Sequence, residues 1–102
     1  MARKGGKVLI TDGQWRKALS VTRSLGRAGI ETTVSADSLL TTTFFSKYCS
    51  NKFLCPVAKN NSQDFLDCIL KEIQTVEYDV LLPMEDESVE VCIRNRDLIE
   101  EF

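Results

Sequence analysis

The sequence of 102 residues contains no histidine, and its four cysteines include no C-x-x-C pair. Zinc sites built from Cys and His usually have such closely spaced ligands, so we expect no metal site in this chain. No apolar run approaches the roughly 18 residues that span a membrane. The run at residues 8–10 is also too short for the core of a signal peptide. These absences predict a cytoplasmic protein that contacts no membrane and keeps its cysteines as buried or half-buried thiols.

Charge is nearly balanced over the whole chain but unevenly distributed along it. The 13 Lys/Arg and 15 Asp/Glu residues give a net charge of −2. Basic residues predominate in residues 1–61 and acidic residues in residues 62–102. The basic residues are dispersed over elements that should face different ways, and no aromatic residues alternate with them. Solvated helix faces therefore explain them better than a nucleic-acid partner does.

The apolar pattern alternates between strand and helix spacing. Short branched runs predict strands at residues 7–11, 30–36, 52–55 and 78–82. Helical spacing predicts a helix over 14–28, ended by Gly29, a second helix after the N-cap candidates at 60–62, and a third helix from Glu85. A short helical turn is expected before residues 46–49. The stripe predicted along the third helix by helical spacing is Val89, Cys92, Ile93, Arg96 and Ile99.

This order, β-α-β-(turn)-β-α-β-α, predicts the fold class. Alternation of strands and helices requires a mostly parallel sheet with helices on both faces. We therefore expect an α/β, Rossmann-like three-layer fold with about four short strands in the order 3-2-1-4. Residues 1–102 should form one such domain.

In an open parallel sheet, ligands bind beyond the carboxyl ends of the strands, where the strand order reverses. With the order 3-2-1-4, that crevice lies between the first and fourth strands. The loops at residues 11–14 and 84–87 should meet there, with Asp37 beside them. The candidate substrate-binding residues are therefore Asp12, Gly13, Gln14, Asp37, Asp86 and Glu87.

Each candidate loop also has a simpler explanation. The first turn has one glycine where a dinucleotide fingerprint needs G-x-G-x-x-G, and Asp12 would repel an anion there. A tight strand-to-helix turn requires only Gly13. Glu85, Asp86 and Glu87 could ligate magnesium or bind a cationic substrate, but we favour helix capping for them. Trp15, the single tryptophan, could stack on a ligand, contact a following domain or pack on its own core.

Several segments together resemble the amino-terminal, pre-grasp domain of ATP-grasp ligases, in particular the carbamoyl-phosphate-synthase-like proteins. The similarity covers nearly all of residues 6–102, although the first turn has fewer glycines than is common in that family. The order and spacing of the segments carry it, since none is diagnostic alone. They are KVLITDG at 7–13, LGRAGIE at 25–31, Asp37, SKYC at 46–49, FLCP at 53–56 and YDVLLPMEDE at 78–87.

The resemblance implies one domain of a longer enzyme. Such ligases use ATP and magnesium to activate a carboxylate as an acyl phosphate, which then reacts with an amine or other nucleophile. The nucleotide and metal would bind to downstream ATP-grasp domains of the same chain, so we expect no cofactor and no catalytic residue within residues 1–102. The pre-grasp domain would pack on those domains and help to wall the site of a small-molecule substrate.

Two other functions remain open from the sequence. One is a free-standing Rossmann-like module that binds a nucleotide or a nucleotide-sugar. The other is a structural or interaction domain, which should expose an apolar patch for its partner.

Overall fold

A parallel sheet of four short strands forms the centre of the described structure, a computed structural model that describes residues 6–59 and 61–100. The strands follow the order β3-β2-β1-β4, and all three neighbouring pairs are parallel. This confirms the predicted fold class and strand order. The elements are β1 (Lys7–Ile10), α1 (Arg16–Arg27), β2 (Glu31–Ala36), a 3₁₀ helix (Thr42–Phe45), β3 (Asn51–Leu54), α2 (Ser62–Thr75), β4 (Val80–Leu82), α3 (Asp86–Arg94) and α4 (Arg96–Glu100).

The two faces of β1 belong to two different hydrophobic cores, as its continuous apolar run predicts. Leu9 is fully buried in a cluster with Phe65 of α2 and with α3. Val8 and Ile10, which point to the opposite face, pack with Ala18 of α1. Because successive side chains of a strand alternate between faces, the sheet has helices on both sides.

The predicted helix boundaries are largely correct. Gly29 follows α1 with a φ of +84°, the left-handed conformation expected of a terminating glycine. Asn61 caps α2, since its side-chain oxygen accepts a hydrogen bond of 3.0 Å from the Asp64 backbone N–H. The neighbouring candidate Asn60 lies outside the described residues. The 3₁₀ helix is the short helical turn expected before residues 46–49.

The prediction of one continuous third helix is wrong. α3 ends at Arg94 because Asn95 leaves the helical conformation, and its side chain donates 2.9 Å to the Val91 carbonyl. α4 then begins at Arg96 as a separate short helix. The buried side of α3 carries Ser88 and Val91, whereas Ile93 is 68% exposed.

The predicted stripe instead borders an apolar groove beside β4, which is an edge strand of the sheet. The groove has a volume of about 490 Å³. Its lining includes Val80, Leu81, Val89 and Ile93. Within the described part of the chain, no helix combines the length and the apolar character needed to cross a bilayer.

Candidate functional site

A cleft of about 400 Å³ lies beyond the carboxyl ends of the strands. The segments that follow all four strands contribute to it, because parallel strands end at the same edge of a sheet. The lining residues are Asp12, Gln14 and Trp15 after β1, Asp37 after β2, Val57, Ala58 and Lys59 after β3, and Glu85, Glu87 and Ser88 after β4.

Four of the six predicted binding residues therefore meet in one cleft: Asp12, Gln14, Asp37 and Glu87. The other two, Gly13 and Asp86, do not line it. Gly13 is buried behind the cleft wall, and Asp86 is exposed on the first turn of α3.

The first turn is held by hydrogen bonds to its backbone. The Gly13 N–H donates to the Ser35 carbonyl over 2.8 Å, and the Gly13 carbonyl accepts from the Thr43 hydroxyl over 2.6 Å. The Trp15 N–H donates to the Asp12 carbonyl over 3.1 Å. Because a phosphate cradle needs free backbone N–H groups, the N–H groups of Gly13 and Trp15 do not contribute to one.

The Asp12 side chain is held at the point where β1 and the edge strand β4 end. Its carboxylate, only 4% exposed as a residue, accepts a hydrogen bond from the Thr11 hydroxyl. The same hydroxyl accepts a 3.2 Å hydrogen bond from the Met84 N–H after β4. The Thr11 hydroxyl thus links β1 to the segment after β4, and it holds the Asp12 carboxylate at the floor of the cleft.

The cleft is negative because four carboxyl groups line it against one lysine. The carboxyl groups belong to Asp12, Asp37, Glu85 and Glu87, and the lysine is Lys59. The charge of Asp12 also acts on the protein interior. Burial raises the pKa of the Cys92 thiol to about 11, and the negative charge of Asp12 adds to that effect.

The acids at the start of α3 act first as helix caps. The Glu85 carboxylate accepts from the Asp86 N–H over 3.1 Å, and Asp86 and Glu87 occupy the first turn, where the helix dipole favours negative charge. This agrees with the capping interpretation. Among residues 6–59 and 61–100, no three His, Cys, Asp or Glu side chains are grouped so that they could hold a metal ion. The described residues therefore offer no fit for the magnesium that the resemblance implies for the longer enzyme.

Ser88 is the most unusual polar residue of the cleft. It is the third residue of α3 and is fully buried at 0% exposure. Its hydroxyl nevertheless finds no hydrogen-bond partner in the described part of the chain. Buried hydroxyls are normally paired, so an unpaired one in a cleft wall calls for an explanation.

The predicted site residues did not include Ser88 or residues 57–59. A signal for residues 57–59 existed, because they follow β3 and so must approach the same sheet edge as the other strand ends. For Ser88 there was no such signal, since helical spacing assigned the buried face of α3 to other residues. Trp15, whose position the sequence left open, is 49% exposed at the cleft.

Comparisons of the chain with protein-family models, with curated proteins and with solved structures give no match. The similarity to pre-grasp domains therefore rests on the sequence segments alone and stays a prediction.

Proposed function

We propose that this chain is the amino-terminal, substrate-side domain of a carbamoyl-phosphate-synthase-like ATP-grasp ligase, an ATP-dependent enzyme that joins a carboxylate to an amine. The observation that supports it most is the polar cleft to which the segments after all four strands contribute. Three of the segments that carry the resemblance, 7–13, Asp37 and 78–87, supply residues to its wall. In this proposal the domain walls a small-molecule substrate site and is not catalytic alone.

The charge of the cleft supports a separate location for ATP. Asp12, Glu85 and Glu87 would repel a triphosphate, and the N–H groups of Gly13 and Trp15 already donate to backbone carbonyls. In the proposal, ATP and magnesium bind to downstream ATP-grasp domains of the same chain. The parent enzyme is cytoplasmic, in keeping with the four free thiols.

A free-standing module for a nucleotide or a nucleotide-sugar is the second candidate. The position of the cleft favours this candidate, because Rossmann-like sheets hold nucleotides at this edge. The half-exposed indole of Trp15 could also stack on a base. The acidic lining argues against phosphate binding, and we therefore prefer the ligase domain.

The isolated 102-residue protein tests the choice. Calorimetric titrations with MgATP, NAD, NADP and UDP-glucose should show no micromolar affinity, and an assay for phosphate release should detect no ATP hydrolysis. Micromolar affinity for NAD or a UDP-sugar would favour the second candidate. The gene beyond codon 102 gives an independent test: a continuation with grasp-type domains is expected, and a stop codon would contradict the proposal.

A further inference from the structure

We propose that the cleft binds a small organic cation through an ammonium or guanidinium group held by the cleft carboxylates and the Ser88 hydroxyl. This inference rests on the proposed function, because it names the chemical class of the substrate that this domain would present. Three observations support it: carboxylates reach the cleft from the ends of separate strands, the Ser88 hydroxyl is unpaired, and the Trp15 side chain is exposed at the cleft.

The acids reach the cleft from separate parts of the chain. Asp12 follows β1, Asp37 follows β2, and Glu87 follows β4. Capping accounts for negative charge at the start of α3, but it does not account for Asp12 and Asp37. The structure records no partner within residues 6–59 and 61–100 for the carboxylates of Asp37 and Glu87. Four carboxyl groups against one lysine give the cleft a negative field, which favours a positively charged ligand.

Ser88 adds a hydrogen-bonding requirement that is independent of charge. Its buried hydroxyl lacks a partner in the described structure, yet the residue lines the cleft. Carboxylates only accept hydrogen bonds, and a serine oxygen can accept as well. Ammonium and guanidinium groups carry several N–H donors and no acceptor, so they suit a wall of acceptors.

The same wall disfavours the obvious competing ligands. The described residues do not group three metal-ligating side chains, which disfavours a bare divalent cation. A phosphate would meet four carboxyl groups and one lysine. The exposed face of Trp15 can contribute a cation–π contact, which an anion cannot make.

Trp15 also provides the measurement, because it is the single tryptophan and lines the cleft. Its fluorescence is followed while the protein is titrated at low ionic strength with cadaverine and with agmatine. Controls are 1,5-pentanediol, which is neutral and of the same length as cadaverine, glutarate, which is anionic, and MgCl₂. We expect a saturable change with the two organic cations alone. Their affinity should fall severalfold at roughly 1 M NaCl, where charges are screened within about 3 Å.

Variants then locate the binding. Glu87→Gln and Asp37→Asn should each weaken cadaverine binding about fivefold, since each removes one negative charge with little change in shape. The matched control is Glu90→Gln, which makes the same change on the exposed side of α3, outside the cleft. It should alter the affinity by less than about twofold.

Ser88→Ala gives a readout that a purely structural role would not produce. The loss of one hydrogen bond to a charged group should weaken cadaverine binding about tenfold. The melting temperature of the ligand-free variant should equal or exceed that of the wild type, because the hydroxyl that is removed has no hydrogen-bond partner in the described structure. A structural serine would instead lower the melting temperature.

The inference is overturned if pentanediol, glutarate or MgCl₂ reproduces the response to cadaverine, if no probe gives a response, or if the cleft variants behave like Glu90→Gln. A parallel titration with MgATP separates this result from the proposed function. Micromolar MgATP binding counts against the ligase-domain proposal. Failure of the organic cations without MgATP binding overturns only the present inference.

Discussion

The turn after β1 depends on the backbone of two adjacent residues. Asp12 has a φ of +59°, in the left-handed region that aspartate tolerates better than most residues. Gly13 has no positive φ but lies against β2. A Cβ built on it would be 2.6 Å from Val34 Cγ1 and 3.2 Å from the Ser35 carbonyl oxygen. Glycine is therefore needed at residue 13 for close approach, and the approach keeps Asp12 at the cleft floor.

Gly13→Ala should destabilise the protein by about 2–3 kcal/mol, because the added methyl overpacks the contact with β2. It should also weaken the 2.8 Å hydrogen bond from Gly13 to Ser35. Urea denaturation measures the change as a shift of the midpoint at constant slope. Gly29→Ala is the control, since Gly29 has a φ of +84° and nothing within 4 Å of an added Cβ. That variant should lose only about 1 kcal/mol, the cost of a left-handed alanine. The interpretation of Gly13 fails if the two variants lose the same stability.

Cleft residues could be predicted where strand order alone decides position. Asp12, Gln14 and Asp37 directly follow strands, and the carboxyl ends of parallel strands must meet. Gly13 and Asp86 follow strands as well, but their roles depend on details that spacing does not contain. The position of Gly13 follows from its close contact with β2. That of Asp86 follows from the hydrogen bond that its N–H donates to the Glu85 carboxylate.

Strands were easier to predict than the last helix. A continuous apolar run such as that of β1 predicts a central strand, because both faces of a central parallel strand are covered. In α3 the apolar residues do not all lie on the buried face. Val89 and Ile93 border the groove beside the edge strand β4, while Ser88 and Val91 point inward. Apolar spacing marks a face, but it does not distinguish a core from an exposed groove.

The corrected orientation of α3 is testable with two truncations. Val91→Ala should cost about 2 kcal/mol, because Val91 is 5% exposed and packs in the core with α2. Ile93→Ala removes more methylene groups but should cost less than about 0.5 kcal/mol, since Ile93 is 68% exposed. Denaturant midpoints of the two variants give the comparison. The reverse ranking would restore the helix orientation that the sequence pattern predicts.

The hydrophobic cluster between the sheet and the helices α2 and α3 makes the stability of the whole molecule sensitive to alkaline pH. Burial raises the pKa of Cys55, and it also raises that of Tyr78, whose hydroxyl donates 2.6 Å to Glu72. Cys92 behaves in the same way, with a pKa of about 11. These groups belong to, or pack against, the hydrophobic cluster between the sheet and α2 and α3. Their neutral forms are therefore part of the folded state.

The Cys92 thiol should make the unfolding free energy fall between about pH 9 and pH 11. Its pKa is 9.0 in the absence of burial and about 11 in the folded protein. Below pH 9 the thiol is neutral in both states, and its full contribution to stability is present. Above pH 9 it ionises first in the unfolded chain, so stability is lost as the pH rises toward 11.

Urea denaturation at pH 8, 9, 10 and 11 should therefore give a shallower decline for Cys92→Ala than for the wild type. The other groups whose pKa burial raises, Cys49, Cys55 and Tyr78, contribute to the decline that remains. The control Val89→Ala changes a neighbour that does not titrate, so it should shift the whole curve without changing its slope. A Cys92→Ala curve parallel to that of the wild type would show that this thiol does not couple folding to pH.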